Sequence, residues 1–103
     1  TPHANAHPTT AALYWAAGFL EGEGCFHLQA NGGIKVSVFQ RQREPLERLQ
    51  GLLGGQIYAK AARRNTQSHH FWACSGSRAR GVMMTLYCLM SPWRKNQIRR
   101  ALI

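Results

Sequence analysis

The sequence predicts an α+β unit, an antiparallel sheet covered by helices on one face with an open, basic face on the other. Three observations carry that prediction. Apolar residues recur at helical spacing, switch to strict alternation, and switch back twice along the chain. Glycine-rich turns sit at the switches, and cations dominate the polar positions. At 103 residues there is room for one core. An apolar fraction of 45% is that of a globular chain.

Taken in order, residues 1–9 read as a flexible lead-in and residues 10–103 as a single domain. A first helix spans Thr10 to Gly22, with Thr9 or Thr10 as cap and Leu13, Ala16, Ala17 and Leu20 at helical spacing. It should stop at "GEG", where Gly22 and Gly24 favour non-helical backbone. The segments "CFHLQAN" and "IKVSVFQRQ" both alternate and are joined by Asn31-Gly32-Gly33, a strong hairpin signal. Phe26, Leu28, Ala30, Ile34, Val36 and Val38 make one oily face. A second helix, Pro45 to Leu53, carries Leu46, Leu49 and Leu53 and ends at Gly54-Gly55. Strands near Gln56–Ala62 and His69–Ser75 flank the polar turn "RRNTQS". Ser77 can cap a third helix reaching about Met90, and Ser91-Pro92 opens a last basic helix. The order is αββαββα with a terminal helix.

The formal charge is +9, and ten arginines stand against three lysines. Arginine's planar fork suits phosphate and guanine, so the favoured partner is a polyanion, and nucleic acid is the commonest. An acidic membrane surface would require a basic amphipathic helix or lipid anchor, and neither is evident. No apolar run approaches the roughly 18–20 residues of a spanning helix. The opening "TPHANAHPTT" lacks the order of a secretion signal. Three cysteines without C-x-x-C spacing point to free thiols in a reducing, intracellular compartment. Cys25-x-His27 has no second pair to complete a zinc site.

Against this charge, the acids are conspicuous. Glu21 and Glu23 are half of the chain's four, and they sit two residues apart at a helix C-terminus. Acids there face the negative end of the macrodipole and call for a compensating cation. A divalent metal supplies one, and carboxylate oxygens are what Mg²⁺ prefers. One carboxylate makes a poor site, which two-fold symmetry would repair. Ala16, Ala17 and Gly18 are small enough for two copies of the helix to approach, although packing within one chain explains them as well.

Ala16-Ala17-Gly18-Phe19-Leu20-Glu21-Gly22-Glu23-Gly24 resembles the signature of the LAGLIDADG homing endonuclease family, L-A-G, two hydrophobic residues, acid, small, acid, Gly. Ala16 stands where Leu is usual, and Glu21 replaces the commoner Asp. The resemblance continues through "FQRQRE", the Leu-rich helix with its Gly-Gly stop, "FWACSGSRARGV" and "RKNQ". It implies an αββαββα unit that cuts both strands of double-stranded DNA. It also implies Glu23 as ligand of Mg²⁺ (or Mn²⁺), the Gly22 carbonyl as a further donor, and Glu21 as support for the turn. Gln42 matches a polar residue near the scissile phosphates, and Arg94 or Lys95 a cation stabilising the developing charge. One motif implies a homodimer on a nearly palindromic site, joined near Ala16, Ala17 and Gly18. No nucleotide cofactor and no membrane enter. A prokaryotic or phage-infected cytoplasm fits better than an organelle.

The sheet supports DNA reading on its own terms. Alternate residues of a strand lie about 6.6 Å apart, close to two base-pair steps. His27, Gln29 and Asn31, with Lys35, Ser37, Phe39 and Arg41, can therefore track a major groove. Tyr58, Lys60, Arg63 and Arg64 would extend the footprint. Trp15, Trp72, Trp93 and the "VMM" run read as core. His69-His70 lacks partners for a metal or triad, and "GSRARG" matches no phosphate-loop fingerprint. Two further readings stand beside the endonuclease. One is a cleavage-inactive regulator or intron-splicing maturase on the same scaffold, the other a basic RNA-binding protein.

Overall fold

The computed structural model describes residues 8–65 and 67–103. The lead-in expected before Thr10 lies outside them over residues 1–7, as does Thr66 of the polar turn.

The chain runs α1 (Thr10–Glu23), β1 (Gly24–Leu28), β2 (Ile34–Gln40), α2 (Glu44–Leu53), β3 (Gln56–Lys60), β4 (His69–Ser75), α3 (Gly76–Leu86) and α4 (Pro92–Leu102). The strands form one antiparallel sheet in the order β1-β2-β4-β3. The α+β architecture is the one the sequence predicts. Phe26, Ile34, Val36, Val38, Trp72 and Cys74 point to one face, where Leu20, Leu46, Leu49, Met83, Leu86 and Ile98 of the helices close over them. Leu28, on the same face, is exposed at the sheet's corner.

Local chemistry explains the joints. Thr9 Oγ1 accepts the Ala12 amide at 3.0 Å, capping α1. In the hairpin, Asn31 Oδ1 accepts the Gly33 amide at 2.9 Å, and Gly32 takes φ +87°, which glycine alone adopts freely. The indole N–H of the buried Trp72 donates to the Gly54 carbonyl at 2.7 Å and ties the exit of α2 to β4. Ser91 Oγ accepts the Arg94 amide at 3.2 Å and caps α4.

Four expectations are revised. Gly22 and Gly24 do not break the helix through unusual backbone. Gly22 is helical, and Gly24 has φ −81°. Gly24 is needed for close approach, because a Cβ there would sit 2.7 Å from the Leu20 carbonyl oxygen. The third helix starts at Gly76 with Ser75, not Ser77, in the cap position, and gives way after Leu86 to a 3₁₀ turn over Tyr87–Leu89. Trp93 is 61% exposed and Met84 63%, so neither joins the core. Both lie on outward faces of their helices. No helix among the described residues is long and apolar enough to cross a membrane.

Candidate functional site

The two acids of α1 have different surroundings. Glu21 is half-buried, and both of its carboxylate oxygens are engaged. Oε1 accepts the Ser91 amide at 2.7 Å and Oε2 the Ser91 hydroxyl at 2.8 Å. An acid at the C-terminal end of α1 thus stands at the N-terminus of α4, where the macrodipole favours it. The main-chain carbonyl of Glu21 accepts Nε of Arg94 at 3.0 Å. Arg94 as a residue is 5% exposed, and its guanidinium donates to Gln97 Oε1 at 2.8 Å and lies 4.4 Å from the Trp93 ring centre and 5.8 Å from that of Phe26. The Glu21 carboxylate is thus compensated by the Ser91 donors at the start of α4, while Arg94 places its positive charge on the main-chain carbonyl at the end of α1. Arg94, expected with Lys95 as a candidate active-site cation, is buried and bonded to the Glu21 carbonyl and Gln97. Lys95 is half-buried with its ammonium 5.5 Å from the Tyr87 ring centre.

Glu23, two residues on, is exposed and has no hydrogen-bond partner among the described residues. It ends α1 beside the exposed Gly22. No cluster of three or more His, Cys, Asp or Glu residues forms among the described residues. One chain thus offers a single carboxylate at this junction.

The small residues of α1 divide in the same way. Ala16 and Ala17, expected at an interface between copies, are 0% and 3% exposed and belong to the chain's own core. Successive helical positions point about 100° apart, so the run cannot share one face. The exposed face carries Ala11, Tyr14, Gly18 and Gly22, spaced three and four apart. A Cβ at Gly18 or Gly22 would meet nothing within 4 Å.

The open sheet face presents the alternate set. His27 pairs in register with Lys35 and Lys35 with Ser75, Phe39 with Phe71 and Phe71 with Tyr58, and Lys60 with His69. Ser37 shares this face but, at 5% exposed, is closed in by its neighbours. Gln29 and Asn31 lie in the β1–β2 turn, where the side-chain Oδ1 of Asn31 already accepts the Gly33 amide. Arg41 and the candidate Gln42 sit exposed just beyond β2, and Arg63 and Arg64 in the β3–β4 connection. All four acids belong to α1 and α2, so the strands carry none. Burial, and secondarily the Lys35 ammonium, push the His27 imidazole below its ordinary pKa, and its Nε2 is buried without a partner among the described residues.

Three contributors were not singled out from the sequence. Phe71 and Ser75 carry a signal in the alternation within "HHFWACS", whose residues 69, 71, 73 and 75 share the open face. Arg78 had no local signal. It donates to the Leu53 carbonyl at 3.1 Å and, with Gln29, Lys35, Gln56, Tyr58 and Ser75, lines a groove of about 430 Å³. Cys74 at the groove is pushed up to about 11, by burial first and against the pull of Arg78, so it is no nucleophile at neutral pH.

No family model and no curated protein matches the chain. Solved structures do. An archaeal intron-encoded homing endonuclease, I-Vdi141I, complexed with DNA, superimposes with a TM-score of 0.62 at 22% identity, over 84% of this chain and 62% of that one. The homing endonuclease I-CvuI, in complex with the I-CreI target in the presence of Mg, gives 0.67 at 20% identity over 86% and 62%. The group I intron-encoded homing endonuclease I-CeuI, complexed with DNA, gives 0.67 at 15% identity over 94% and 55%. The fold is that of the homing endonucleases. This chain spans under two thirds of the length of each of these three neighbours.

Proposed function

We propose that the chain is one subunit of a site-specific, divalent-metal-dependent DNA endonuclease of the LAGLIDADG type, acting as a homodimer on a nearly palindromic duplex. The observation that supports it most is the isolation of Glu23. It is an exposed carboxylate without a hydrogen-bond partner among the described residues, at the junction between α1 and an acid-free cationic sheet face. The structural neighbours carry DNA in their complexes, and one was solved in the presence of Mg with its DNA uncleaved.

The donor chemistry fits Mg²⁺ or Mn²⁺ as half a site, with the Glu23 carboxylate and the Gly22 carbonyl oxygen as hard ligands. A second copy, meeting this one across the Gly18–Gly22 face of α1, would supply the other half. Bound there, the metal supplies Lewis-acid activation of water and charge neutralisation at the leaving oxygen. The chain's own residues do the rest. The sheet face holds the duplex through phosphate contacts and base edges, Gln42 and Lys95 are the polar groups left to serve near the scissile phosphates, and Arg94 fixes the turn that presents Glu23. A binding-only module is the second reading, favoured by the commitment of Arg94 to Glu21 and Gln97.

Wild-type protein with Mg²⁺ or Mn²⁺ should cut members of a randomised palindromic DNA library, while Glu23→Gln binds the same duplexes and leaves them intact. Binding without cutting by both proteins would overturn the enzyme and leave the regulator.

A further inference from the structure

Three aromatic rings cross the open sheet face side by side on three adjacent strands. Phe39 of β2 stacks on Phe71 of β4 with centres 5.3 Å apart and planes 28° apart. Tyr58 of β3 stacks on the other side of Phe71 at 4.7 Å and 24°. They are register partners, so each ring's face is turned toward its neighbour and the ring edges point away from the sheet. Phe39 and Tyr58 remain 55% and 48% exposed. Folding alone does not account for such a ridge, because its apolar area is left in water on a face otherwise rich in cations and donors. The ammonium groups of Lys35 and Lys60 lie 5.9 and 5.3 Å from the Phe71 ring centre, and His69 packs against Phe39.

We propose that this ridge is a specificity element that selects thymine-bearing base pairs through their 5-methyl groups in the major groove. The inference rests on the duplex-DNA reading above. Three strands at about 4.8 Å spacing place the rings over roughly 10 Å, comparable with the ~12 Å width of the major groove. Within that groove the thymine methyl is the one apolar feature of the base edges. Unpaired bases would need open ring faces to stack on, and both faces of Phe71 are occupied by its neighbours. Edge presentation therefore favours methyl contact over stacking. The flanking lysines suit the phosphates on either side of the groove.

The test uses two randomised duplex libraries, one made with thymidine and one with deoxyuridine throughout, so that only the 5-methyl group differs. The thymidine library should bind more tightly, by roughly four-fold for each methyl group the ridge covers. Its selected members should concentrate thymine in one short block per half-site. Phe39→Ser with Phe71→Ser should bind the two libraries equally, and Phe39→Leu, still apolar, should keep part of the preference. Equal binding of the two libraries by wild type would overturn the inference and leave duplex binding standing. Tighter capture of single-stranded oligothymidine than of duplex would overturn it in favour of stacking. Failure to bind either library would remove the duplex-DNA reading itself, and the inference with it.

Discussion

Glu21 and Glu23 are two residues apart on one helix, yet they belong to different regions of the molecule. Around Glu21 the acceptors of the residue itself are all engaged. Its two oxygens take the Ser91 amide and hydroxyl, its carbonyl takes Arg94 Nε, and Arg94 also reaches Gln97. Around Glu23, and across the sheet face that begins one residue later, partners are scarce and cations lie open to solvent. The difference separates roles that composition alone could not. A polar group satisfied within the chain contributes to folding, and one held in place but left unsatisfied is available for a ligand.

If that division is right, removing Arg94 should be the larger insult to stability. Arg94→Ala leaves the Glu21 carbonyl and the Gln97 amide oxygen without their donor and strips a side chain packed between Phe26 and Trp93. A loss of about 3 kcal/mol in chemical denaturation is expected. An intact duplex affinity in the protein that remains folded would sharpen the comparison. A loss of under about 0.5 kcal/mol would break it and return Arg94 to the list of free cations. Glu21→Ala comes next, at about 2 kcal/mol, since it deletes both acceptors at the α4 terminus.

A smaller effect of opposite sign is expected at Gly18, which sits in the helix with open space around it. Gly18→Leu should raise the stability of the monomer by about 0.5–1 kcal/mol through helix propensity. The same change should abolish assembly and cleavage, because the proposed two-fold contact needs a flat face there. Sedimentation on DNA reads the two consequences apart. A Gly18→Leu protein that still dimerises and cuts would place the interface elsewhere.

Much of this was legible in the sequence, and the reasons differ by feature. The change of hydrophobic period located every element, and Asn31-Gly32-Gly33 set the β1–β2 register, because both are local consequences of backbone geometry. The spacing of Ala16 and Ala17 with Leu13 and Leu20 was compatible with burial in the chain's own core, but the motif resemblance placed them at an interface between copies. Only the packed helix decides between the two. Arg94 was not legible. It meets Glu21 across 73 positions, and nothing in "SPWRKNQ" distinguishes a buried arginine from a solvated one. Glu21 is the same case seen from the other side, bonding Ser91 across 70 positions. Motif resemblance marked the two acids and assigned them different roles, but their different surroundings appear only when α4 is packed against β1 and the end of α1.

His27 stands between the two regions and gives the smallest test. It lies on the open face, yet its Nε2 is buried without a partner among the described residues. Desolvation, followed by the nearby Lys35 charge, lowers its pKa from the ordinary 6.5. The folded protein therefore favours the neutral ring, and below that value the unfolded chain binds more protons. The stability this represents is fully present above about pH 6.5 and is lost as pH falls from there through the lower folded value. Between pH 7.5 and pH 5.5, wild type should lose more stability than His27→Gln, by a fraction of a kcal/mol. Parallel pH profiles would show that the ring is solvated, and His27 would then count with Lys35 and Lys60 among the open groups of the face. A steeper wild-type profile would place it with Glu21, as a residue whose environment the fold has already closed.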